Sequence, residues 1–210
     1  MGSRLYEQAR LLAREVRAQY EISGPRLTKS HLRGIYKDQG IRVDYWPYPL
    51  KHLRGAYFRG DTEASVLIAK SLPTEQQIFT LGHELKHHLA DRDLSISFCD
   101  LSNEKSVIEI SAEIFAAELI FPQELFLELM AKAGVERDGS CSADDIIHLK
   151  MSSTTTLSYA GLVKMAEFLS YCERGAFRKV QFRKRQEELY GEPLYKRILR
   201  HRNQLPRRRA

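Results

Sequence analysis

The chain has 210 residues, 43% of them hydrophobic and 29% charged, with three cysteines and a formal net charge of +6. That is enough apolar material for the core of one domain of ordinary size, and it excludes wholesale disorder. No apolar run approaches a membrane span, the first residues lack the apolar stretch of a secretory signal, and Cys99, Cys141 and Cys172 form no disulfide framework, so a cytoplasmic protein without a membrane partner is expected.

Residues Arg4 to Tyr20 read as an amphipathic helix, with Leu5, Ala9, Leu12, Val16 and Tyr20 on one stripe. Ser23-Gly24-Pro25 breaks it, and Lys29 to Lys37 is a short second helix. Ile41 to Trp46 alternates apolar and polar residues, the mark of a half-buried strand. Gly55–Phe58 and Ser65–Ala69 are the next two strands, giving a small antiparallel sheet. The second of these offers an edge on which a peptide could add as a further strand. Thr74 with Gln77 fits a capping box opening a helix that runs to about Ala90. Asp91 to Asn103 has no clear period and reads as a loop. A second long helix covers about Glu104 to Phe121, stopped by Pro122, and helices are expected at Gln123–Ala133, Ala143–Lys150 and Ser158–Tyr171. The last two, joined by a Ser/Thr-rich turn, resemble a helix-turn-helix. Strands in front and helices behind indicate an α+β domain.

His83-Glu84-Leu85-Lys86-His87 falls inside the first long helix. Histidines at i and i+4 sit about one turn apart on one face, so both imidazoles can reach one zinc ion. Glu84, rotated by about 100°, can stand beside the attacking water as general base. A catalytic zinc takes three protein ligands and keeps one position open. On a helical wheel Glu109 and Glu113 lie about 40° apart, in an arc with Ala112, Phe115, Ala116 and Ile120. Ser111 and Glu118 make the only polar stripe, opposite that arc. Two buried carboxylates without a cation are costly, and a divalent ion resolves the problem. Either glutamate can be the third ligand. Their order along the helix favours Glu109 on zinc, with Glu113 orienting a histidine through its other ring N–H. Small Ala116 would let the two helices approach. His148 and Tyr159 have the chemistry of oxyanion donors, but spacing places neither at the metal.

From Arg174 onward thirteen Lys/Arg face three Glu, a local charge of +10 that leaves −4 for the residues before it. The chain therefore divides into residues 1–172, a peptidase domain including the helix-turn-helix-like part, and 173–210, a basic helical or flexible tail. Clustered Arg and Lys suit nucleic-acid phosphates, and a solvated surface segment is the plain alternative.

These residues resemble the ImmA/IrrE family of metallo-endopeptidases. Phe79-Thr80-Leu81-Gly82-His83-Glu84-Leu85-Lys86-His87 is similar to that family's metal helix, and Glu109, Ala112, Phe115-Ala116 and Leu119-Ile120-Phe121-Pro122 are similar to its second helix. Lys86 stands where the family usually has Gly, and Glu113 where it has Asn or Asp. The resemblance covers roughly residues 5–165 and implies a zincin-like fold, a Zn2+ cofactor and cleavage of a partner helix-turn-helix repressor that switches on stress or phage-defence genes. Within the family the chain looks most like the CapP-type peptidases of antiphage operons. That type implies single-stranded DNA as an activating signal and a cysteine able to fill the zinc's open position; Cys99, between the two metal helices, is the candidate. The rival reading is a DNA-binding regulator with a structural zinc. Glu84 argues against it, because a structural zinc has four ligands and needs no base.

Overall fold

The computed structural model describes residues 2–48, 53–60, 62–91, 96–100 and 107–204. Helix α1 (Gly2–Gln19) and helix α2 (Lys29–Asp38) precede strands β1 (Ile41–Trp46), β2 (Leu53–Arg59) and β3 (Ala64–Ala69). Helix α3 (Thr74–Ala90), strand β4 (Ile96–Asp100) and helix α4 (Val107–Ile120) follow. The chain then continues through α5 (Gln123–Lys132), α6 (Ala143–Ser153), α7 (Tyr159–Phe168), α8 (Phe182–Tyr190) and α9 (Leu194–Gln204). The α+β expectation holds.

The sheet has the order β1-β3-β2-β4 and is mixed rather than antiparallel. β1 runs parallel to β3, while β2 is antiparallel to both β3 and β4. β3 is thus an inner strand, which removes the expected peptide-binding edge at Ser65–Ala69. Its composition explains the placement. Val66, Ile68 and Ala69 are buried, whereas β1, with exposed Arg42, Tyr45 and Trp46, suits an edge. β4 corrects the expected loop: the segment lacks a hydrophobic period, and pairing with β2 rather than local pattern makes it a strand. Among the described residues β1 and β4 are the edges.

α3 lies against β2 and β3 and packs on α4, which in turn packs on α1. The capping box at Thr74 does not form. Pro73 occupies the cap without a side-chain bond, and Gln77 instead donates to the carbonyls of Lys70 (3.1 Å) and Leu72 (2.8 Å), tying the helix start to the end of β3. Gly55 lets the sheet approach this helix closely: a Cβ there would lie 2.4 Å from Thr80 Cγ2 and 3.1 Å from Ile68 Cδ1. Gly55→Ala should therefore lower stability by about 1–3 kcal/mol, read as a fall in Tm. Thr80→Ser, which removes the offending methyl, should recover part of that loss. Equal destabilisation in both backgrounds would assign the effect to something other than this contact.

α4 is buried on two sides, and this corrects the wheel. Ala112, Phe115, Ala116 and Leu119 are inaccessible, but Ser111 and Glu118 of the supposed polar stripe are also buried, at 3% and 2% exposure. Glu118 accepts from Arg14 of α1 at 2.9 Å, and Arg17 donates to the Leu119 carbonyl at 2.7 Å, placing cations at the C-terminal end of α4. Glu118 meets an arginine of α1 rather than water, and Ser111 donates to the Ile108 carbonyl of its own helix at 2.7 Å.

In the second half, Thr154 takes a left-handed conformation between α6 and α7, where two helices and a turn were expected. The basic segment begins folded onto this part. Phe182 stacks on Tyr159 at 4.8 Å between ring centres, and Arg185 forks onto Asp144 at 2.8 and 2.7 Å. α9 turns Leu194, Tyr195, Ile198 and Leu199 outward.

Candidate metal centre

α3 carries the expected pentapeptide on its buried side, so His83 (4% exposed), Glu84 (0%) and His87 (0%) are all sealed between the sheet and α4. The close approach that brings α4 to them is made by the smallest side chains: a Cβ on Gly82 would lie 3.3 Å from that of Ala116. Glu109, in the first turn of α4, faces both histidines. Its Oε2 lies 3.0 Å from His83 Nε2 and its Oε1 3.5 Å from His87 Nε2, while the two Nε2 atoms are 3.1 Å apart.

These separations test the fit of a metal. Two ligands each about 2.0–2.1 Å from a tetrahedral ion stand about 3.4 Å from one another. The two Nε2 atoms and the Glu109 oxygen nearer to each of them lie close to that spacing, and no other such group of three residues is found among the described residues. Two imidazole nitrogens and one carboxylate oxygen are also the protein donor set of a catalytic zinc, which keeps its fourth position for water or substrate. Charge supports the fit. Burial works against a charged His87, yet hydrogen bonds to Asp91 and Glu109 outweigh it and raise its pKa to about 9. Burial would raise the Glu109 carboxyl, but bonds from His83 and His87 bring it down to about 2. The cluster favours positive charge at its centre, and a divalent ion would supply it in place of protons.

Glu84 points into the same interior. Its charge acts on His87 and on the hydroxyl of Tyr36, whose pKa burial first, and Glu84 next, push well above its ordinary value. Tyr36 in turn donates to the Leu81 carbonyl at 2.6 Å, fixing α2 to the metal helix.

Glu113 is not part of the site. Its side chain is 41% exposed and pairs with Lys164 of α7 at 3.2 Å. The histidine-orienting acid expected at Glu113 is instead Asp91, whose Oδ2 lies 2.7 Å from His87 Nδ1. The signal for it was present in the sequence: an acid four residues after a histidine, within one turn on the same face. His148 and Tyr159 are both turned to α8, His148 bonding Tyr190 and Tyr159 donating to Gln186 at 2.8 Å. Cys99 lies in β4, and its side chain is outside the described residues.

Residues 36–137 match a peptidase family model described as the IrrE N-terminal-like domain, and that span contains the whole cluster. The chain is also 34% identical over 136 residues to the radiation response metalloprotease IrrE of Deinococcus deserti. Both matches liken the chain to IrrE-type proteins. The alignment covers 60% of this chain and 44% of that relative's length. The His83/His87/Glu109 group lies within the residues that match the peptidase family model. α5 lies wholly within the matched span, and α6 to α9 lie beyond it. No helix among the described residues is long and apolar enough to cross a membrane.

Proposed function

We propose that the chain is a zinc-dependent endopeptidase that cleaves a partner helix-turn-helix repressor and so induces stress or phage-defence genes. The observation that carries this reading is the fully buried Glu84, next in the chain to His83, beside the converging donor atoms of His83, His87 and Glu109. His83, His87 and Glu109 would hold the ion. Bound there, zinc supplies Lewis acidity, polarising a peptide carbonyl and lowering the pKa of water. Glu84 takes the proton of the attacking water and passes it to the leaving amine. The low dielectric around Glu84 strengthens its interaction with the developing charges. The test is cleavage of a helix-turn-helix repressor encoded beside this chain. Cleavage should stop with a chelator and return with zinc. A folded, zinc-replete protein that leaves the repressor and a generic unfolded substrate intact would favour the rival, a DNA-binding regulator with a structural ion.

Two regulatory elements belong to the proposal. Single-stranded DNA would act through the basic segment, whose last part, from Glu192 onward, carries seven Lys/Arg against one Glu. Because Phe182 and Arg185 are packed onto α6 and α7, the informative truncation begins at Glu192 rather than at Arg174. It should weaken single-strand binding and flatten its salt dependence while zinc content stays constant. Equal binding by both proteins at low salt would leave this segment a solvated surface. The second element is Cys99, as a thiolate able to fill the open position and silence the enzyme. Cys99→Ser should then raise basal repressor cleavage without any activator, whereas loss of a packing thiol would lower stability and raise nothing.

A further inference from the structure

Two charged side chains at the site, one buried and one half-buried, have no part in that chemistry. Lys86 lies within the metal-binding pentapeptide and is only 5% exposed, although a lysine on a helix usually keeps its head in water. Its ammonium reaches Asp91 Oδ2 at 2.6 Å, the same oxygen that lies 2.7 Å from His87 Nδ1. Asp91 is the C-terminal cap of α3, and its own N–H donates to the His87 carbonyl at 3.0 Å. One residue thus grips His87 by both backbone and ring.

We propose that Lys86 and Asp91 form a positioning pair, in which Asp91 fixes the His87 ring with Nε2 turned to His83 and Glu109, and Lys86 fixes Asp91. The proposal rests on reading His83, His87 and Glu109 as metal ligands. An imidazole has two nitrogens, and a cation can use only the one that carries no proton. A carboxylate on Nδ1 keeps the proton there, leaves the lone pair on Nε2 and stops the ring from turning about its own bond. Asp91 is badly placed to do this alone. It sits at the C-terminal end of a helix, where exposed carbonyls repel an anion, and it is only 13% exposed in its side chain. A cation is needed to keep a carboxylate in that place, and Lys86 supplies it from the preceding turn. A role confined to closing the helix end would need the ion pair but not the second bond, from the shared oxygen to the ring.

The experiment uses the full chain with Asp91→Asn, Asp91→Glu, Lys86→Met, Glu109→Gln and the Lys86→Met/Asp91→Asn double variant. Zinc affinity is measured by competition with a chromophoric chelator, and the visible spectrum of the cobalt-loaded protein is recorded at a temperature where circular dichroism shows it folded. Asp91→Asn should weaken zinc binding by about 10–100-fold and alter the cobalt bands, and Asp91→Glu should restore most of both. Lys86→Met should weaken binding in the wild-type background and change nothing further once Asp91 is Asn, because it acts only through Asp91. Wild-type affinity and spectrum in folded Asp91→Asn would overturn the proposal, as would equal effects of Lys86→Met in both backgrounds. If Asp91→Asn does not fold, an unchanged spectrum and affinity in Lys86→Met overturns it instead. Failure of the underlying metal reading looks different: zinc would bind wild type and Glu109→Gln alike, whatever residue 91 is.

Discussion

Glu84→Gln is expected to leave a folded protein with its full zinc content and with repressor cleavage lowered by about 100- to 10,000-fold or more, the range over which a positioned general base acts. The substitution keeps shape and volume inside a site where Glu84 has no exposed surface, so packing should survive it. It removes only the ability to accept a proton. Because Glu84 is not among the three residues whose donor atoms converge, zinc content should stay at the wild-type level. Metal analysis of the same preparation used for the cleavage assay separates the two roles. Loss of zinc together with activity would make Glu84 a ligand, and full activity would remove it from the mechanism.

The second large effect separates the two glutamates of α4. Glu109→Gln replaces a carboxylate 3.0 Å from His83 Nε2 by a neutral amide, and the purified protein should lose its zinc. Glu113→Gln touches only an ion pair with Lys164 in which both side chains are largely exposed, at 41% and 71%. Such pairs contribute about 0–1 kcal/mol, so its zinc content and cleavage should match wild type. Zinc loss from Glu113→Gln with retention in Glu109→Gln would require a different arrangement of α4 in solution.

What the sequence made legible was local. β1 lies where its alternation places it, and α3 spans the expected residues although the capping box that marked its start does not form. The histidines and Glu84 follow from helix geometry alone. What it hid depends on partners far away in the chain. Glu118 looked like a solvent-facing acid until α1 brought Arg14 to it across 104 residues. A wheel sees one helix at a time, and α4 is covered from two directions. Glu113 was misassigned for the same reason: the apolar arc was real, but its edge nearest Lys164 is open. The parallel pairing of β1 with β3, and β4 itself, could not be read from strands taken singly. Asp91 was legible in principle, as an acid one turn beyond His87, but it fell in a stretch dismissed for want of a hydrophobic pattern.

The three candidate ligands do not come from one element. Glu109 meets His83 across a separation of 26 residues, so an ion held by both would tie α3 to α4 as a staple closes a loop. A ligand present at a hundred times its dissociation constant adds about 2.7 kcal/mol to the folded state, comparable to the cost of a large core truncation. Metal supply would then govern two quantities together: how fast the protein turns over its substrate, and how long the protein itself survives in the cell. A chain starved of zinc would be idle and also short-lived, so the cell would clear the inactive form instead of storing it.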